Sequence, residues 1–86
     1  MKLDEMLDIV ESEAFYALRH MGAARAPCWL PEEMRVEIDL SSCPEVDMGE
    51  FINTLQGRLS ARGEVLDVWH LDGRTVAVSE PEEDRL

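Results

Sequence analysis

Lysine is nearly missing from this chain. Lys2 is the only one, and with seven arginines the basic total is eight against 19 acidic residues, a net charge of −11. A surface of that sign repels phosphate backbones, so direct nucleic-acid binding is not expected. Long apolar runs are also missing. None approaches the ~20 residues that span a bilayer, and the N-terminal Met-Lys-Leu-Asp-Glu-Met turns acidic at once, unlike a secretory leader. The expectation is a cytoplasmic protein with no membrane association. Cysteine is limited to Cys28 and Cys43, too few for a disulfide framework. With no CxxC pair, and with His20 and His70 outside metal-motif spacing of either cysteine, no metal and no cofactor is expected. There is no glycine-rich phosphate loop and no Ser/His/Asp set at usable spacing, so enzymatic activity is not expected.

What is present suits one small folded unit. At 86 residues a single domain is expected, over residues 1–79, with an acidic tail at 80–86. A chain this short buries about 60–65% of its unfolded surface, so its core is thin and a partner could stabilise it. The acids are unevenly placed. Residues 26–50 hold seven acids and one arginine, whereas residues 51–75 balance at three and three. Such a pattern fits a solvated surface, a basic protein partner, or mimicry of a nucleic acid.

Residues 3–22 read as an amphipathic helix. Leu3, Leu7, Val10, Ala14, Ala17 and Met21 recur at helical spacing, Met6 and Leu18 widen the stripe, and Gly22 stops it. Ile9 and Tyr16 fall away from that stripe, which suggests a second neighbour for the helix. "GAARAPCWLPEE" reads as a loop punctuated by Pro27 and Pro31. "MRVEIDL" then alternates as a half-buried strand, with Met34, Val36, Ile38 and Leu40 on one side and Arg35, Glu37 and Asp39 on the other.

Asp47 opens the next helix as part of a capping box with Glu50; Met48, Phe51, Ile52, Leu55 and Leu59 form its stripe, and Gly63 ends it. In "EVLDVWHLDGRTVAVSE", two strand-like runs flank Asp72-Gly73, the pair favoured by a two-residue hairpin turn. That register sets Trp69 opposite Val76, Val68 opposite Ala77 and Asp67 opposite Val78. The order α-β-α-β-β predicts an α+β two-layer sandwich, with a small mixed three-stranded sheet and both helices on one face.

Two sites compete. The first is the hairpin. If Leu66, Val68 and Ala77 face the helices, then Trp69, Val76 and Val78 share the open face with Asp67, a charge-rimmed apolar patch of the kind found at interfaces. The opposite register would make that face the core, and periodicity alone does not decide. Together with Ile9 and Tyr16, these residues suggest a non-catalytic protein-protein interaction module, a regulator, inhibitor or accessory subunit. Its partner would be another protein, for preference a basic one, or a second copy in a homodimer. The second site is Cys43, at a strand end entering a helix, where helix amides lower a thiol pKa. Glu45, Asp47 and Glu50 oppose that effect, and a small buried residue before a turn-forming proline is the simpler reading.

The stretch "VEIDLSSCPEVDMGEFINTLQGRLSARGEVLDV" resembles the centre of the STAS domain over about residues 34–71. In that family an Asp-Leu-Ser strand end leads through a short loop and an Asp into a helix, an Arg-Gly step and the next strand. In regulatory members a serine after that Asp accepts phosphate; Met48 stands there, which implies no such switch. Cys43-Pro44-Glu45 is similar to the helix start of TusA-type sulfur carriers, with Val46 in place of their second proline. That likeness implies a Cys43-dependent thiol or sulfur carrier. A nucleic-acid-mimicking inhibitor is the third reading, resting on charge alone.

Overall fold

The computed structural model describes residues 2–23, 27–32 and 35–81. Met34 of the expected strand and residues 82–86 of the expected tail lie outside them. The order is α1 (Leu3–His20), β1 (Cys28–Glu32), β2 (Arg35–Asp39), α2 (Met48–Ala61), β3 (Asp67–Asp72) and β4 (Thr75–Ser79). The expected two-layer α+β sandwich is present, and the sheet gains a strand. β1 forms within the stretch read as a loop and pairs with β2, giving the order β1-β2-β4-β3. β2 and β3 run in the same direction, as a strand–helix–strand unit requires. β4 inserts between them, so every neighbouring pair is antiparallel.

Local chemistry sets the start of α2 and the stops of both helices. Asp47 Oδ1 accepts from the Glu50 N–H at 2.9 Å, capping α2. Both helices end in the glycine-terminated motif in which two successive N–H groups fold back on orphan carbonyls. In α2, Gly63 (φ +86°) donates to Ser60 and Glu64 donates to Leu59; in α1, Gly22 (φ +76°) donates to Arg19 and Ala23 to Leu18.

One core joins the layers. Met6, Val10, Ala14, Ala17 and Leu18 of α1 and Phe51, Leu55 and Leu59 of α2 close over Val36, Ile38, Val68, Val76 and Val78 of the sheet. Ile9 is half-buried against this cluster, so its place off the main stripe reflects the width of the buried face.

The hairpin turns one residue later than Asp72-Gly73 predicts. Asp72 pairs with Thr75, so the loop is Gly73-Arg74, with Gly73 at φ +48°. A register shift between His70 and Asp72 absorbs the extra residue, Leu71. Trp69 consequently lies opposite Ala77, and Val68 opposite Val78. The one-residue slip turns Val76 and Val78 inward, and both are fully buried. Their placement beside Trp69 on the open face is corrected.

Candidate functional site

The polarity of each strand follows from one hydrogen bond. The Leu40 N–H donates to the Arg74 carbonyl at 2.8 Å, so Leu40 bonds toward β4. Alternation then directs Val36 and Ile38 toward β4 as well, with their side chains under the helices. Arg35, Glu37 and Asp39 send theirs to the opposite face. The pairings Arg35–Ser79–Asp67, Glu37–Ala77–Trp69 and Asp39–Thr75–Asp72 form three rows across that open face. Over β2, β4 and β3 these rows carry four acids, Glu37, Asp39, Asp67 and Asp72, against one arginine.

Trp69 stands among them, 37% exposed. Its indole N–H donates to Ser79 Oγ at 3.2 Å, so the ring leans from β3 across β4. Ala77, opposite Trp69 and on the face the helices do not cover, is fully buried, as a ring lying across β4 requires. The Arg35 guanidinium stands 5.9 Å from the ring centroid, within cation–π range. Glu37 Oε2 holds that guanidinium, accepting from Nε at 2.9 Å and lying 2.8 Å from a terminal nitrogen. The indole is thereby fixed in orientation while keeping area in contact with solvent. A preoriented aromatic of this kind loses little side-chain freedom on contact.

At the far end of the face, Asp39 Oδ1 accepts from the Ser41 hydroxyl at 2.6 Å and from its N–H at 2.9 Å. These two bonds hold the Asp39 carboxyl below its usual range. Two tight turns follow, closed by Cys43 N–H to the Leu40 carbonyl and Val46 N–H to the Cys43 carbonyl. Cys43 is fully buried in the core, its Sγ 3.8 Å from Ser42 Oγ. The Cys43 carbonyl accepts from the Arg74 guanidinium of the hairpin turn. A thiol with no accessible area does not meet an external sulfur donor in this conformation.

The other exposed aromatics lie elsewhere. Tyr16 is on α1, with the Arg58 guanidinium 3.6 Å from its ring centroid and His20 at 4.4 Å. Glu13 Oε1 accepts from Arg58 at 2.7 Å and Oε2 from Arg62 at 2.9 Å, tying the two helices together. Desolvation pushes the Glu13 carboxyl up, and the bonds from Arg62 and Arg58 outweigh it, leaving the group below its usual range. These side chains border an open groove of about 410 Å³ that also includes Asn53 and Gly57. Phe15 faces Trp29, ring centroids 6.0 Å apart, near the β1 edge. Tyr16 therefore stands on the helical layer, apart from Trp69, and Ile9 packs against the core. Of the residues singled out for binding, Trp69 alone lies on the open face.

Among the described residues, no three metal-ligating side chains come together, and no helix is long and apolar enough to cross a membrane. Trp69's face was visible in the sequence from its two-residue offset to Asp67. The Arg35 stack and the Arg74 clamp join residues more than 30 positions apart and leave no local signal. No family model, curated protein or solved structure matches the chain.

Proposed function

We propose that this chain is a non-catalytic protein-binding module, and that the open face of the sheet is its recognition surface with Trp69 as anchor. A single observation carries the reading. A tryptophan held by Ser79 and Arg35 keeps 37% of its surface exposed on a face that the helices among the described residues leave uncovered. Trp is among the residues most enriched where binding energy concentrates, and an apolar centre with a polar rim is the usual anatomy of an interface. The four acids on that face favour a partner with a basic surface, which would gain in approach rate and orientation more than in net affinity. The overall charge of −11 fits the same partner, and a cytoplasmic setting belongs to this reading. The buried Cys43 offers no support to a sulfur-carrier role.

Paired affinity capture tests the proposal. The chain and its Trp69→Ala variant, both verified as folded, serve as baits in native lysate. A protein retained by the first and lost by the second is the expected result. Equal retention by both baits would move the recognition surface elsewhere.

A further inference from the structure

The side chain of Gln56 does for the outer edge of β3 what a neighbouring strand would do. β3 is an edge strand, and edges with unsatisfied backbone groups invite another chain. The polarity derived above directs Asp67 and Trp69 toward β4, so Val68 and His70 present their N–H and C=O outward. Gln56 reaches from α2 to this edge. Its Nε2 donates to the Leu66 carbonyl at 2.7 Å, and its Oε1 accepts from the Val68 N–H at 2.9 Å. One primary amide thus occupies the carbonyl and the N–H that flank Asp67.

The opposite edge is blunted by other means. Leu30 pairs with Glu37, which bonds toward β1, so Leu30 bonds inward while Trp29 and Pro31 face out. Pro31 lacks an N–H, and its place on the outer side costs no ladder bond while removing one edge donor.

We propose that Gln56 is an edge guard: its amide closes a latent strand-pairing site on β3 whose natural occupant is the same edge of a second copy. The geometry of that pair is defined. A two-fold axis at Trp69 sets Val68 opposite His70 of the second copy, and the reverse, giving four backbone hydrogen bonds. The two Trp69 residues then face each other at the close, non-hydrogen-bonded site, where aromatic cross-strand pairs are favourable. While Gln56 holds the Val68 N–H, one donor in each copy is taken and the pairing cannot complete. The proposal does not depend on Trp69 binding a different protein.

Gln56→Met tests it, because Met keeps the length and helix preference of Gln while removing both polar atoms. Sedimentation of matched samples should show self-association about tenfold or more tighter than in the unsubstituted chain, equivalent to roughly 1.4 kcal/mol. Amide exchange supplies the second reading. In Gln56→Met the Val68 amide should exchange faster when dilute, and Val68 and His70 should both become protected as concentration rises. A folded variant that self-associates no more than the unsubstituted chain would overturn the proposal. So would association that leaves the Val68 and His70 amides unprotected, since contact would then lie elsewhere.

Discussion

Arg74, in the turn between β3 and β4, donates its guanidinium to the carbonyl of Cys43, and by this bond the hairpin holds the loop that enters α2. A second, longer contact reaches the Leu40 carbonyl at 3.5 Å. The Ser-Ser-Cys-Pro junction is in this way a braced connection, with its thiol turned into the core. Arg74→Met should cost roughly 1–2 kcal/mol, the range for a charged group's hydrogen bond that is partly solvated. It should also raise the labelling rate of Cys43 by a thiol reagent. An unchanged labelling rate would mean that packing alone shields the thiol.

The cap of α2 is local and separable from binding. Asp47→Ala removes the acceptor for the Glu50 N–H and should destabilise by about 1 kcal/mol. For a domain of this size, that is a fall of about 4–8 °C in Tm. Partner retention at a temperature where the variant stays folded should be unchanged. Lost retention with intact stability would make Asp47 a contact residue instead.

Gly73 is needed for its backbone alone. Its φ is +48°, and an added Cβ would meet nothing within 4 Å. Gly73→Val should therefore cost about 1–2 kcal/mol from the left-handed conformation, whereas Gly73→Asn, which tolerates that region, should cost clearly less. Equal melting temperatures for the two variants would contradict this.

Acid sensitivity follows from the two carboxyls held below their usual range, Glu13 and Asp39. Unfolded, each titrates near its ordinary value of about 4. Folded, each holds on to its charge at lower pH. Through that window the unfolded chain binds more protons, so the added stability is complete above about pH 5 and is lost as pH falls through the folded values. Glu13→Gln should lower stability at neutral pH, and the gap to the unsubstituted chain should narrow toward pH 3. Parallel stability curves would assign Glu13 no part in this.

The parts of the fold set by near neighbours in sequence were legible there. Asp47 with Glu50, and Gly22 and Gly63, marked helix ends because capping spans only a few residues. β1 was hidden because Pro27 and Pro31 read as loop signals; Pro31 is tolerated only because its missing N–H points away from β2. The hairpin was recognised from Asp72-Gly73, but the bulge at Leu71 moved its turn by one residue. A slip of one exchanges faces, which is why Val76 and Val78 lie in the core while Trp69 kept its side with Asp67. Contacts such as Arg58 on Tyr16 and Gln56 on the β3 edge depend on how two elements pack, and a single sequence carries no periodicity for them.

Trp69 decides the central claim. The measurement is a binding titration of the captured partner against three folded chains: unsubstituted, Trp69→Ala and Tyr16→Ala. Tyr16 serves as the control because it is an exposed aromatic on the helical layer, 47% accessible. Truncating a binding anchor typically costs ≥ ~2 kcal/mol, so Trp69→Ala should raise Kd by roughly 30-fold or more. Its Tm should fall by several degrees, since most of the residue is buried over Ala77 and Ser79, while the variant stays folded, and Tyr16→Ala should bind as tightly as the unsubstituted chain. Affinity unchanged by Trp69→Ala, or lost to the same degree in Tyr16→Ala, would contradict recognition through the open face of the sheet.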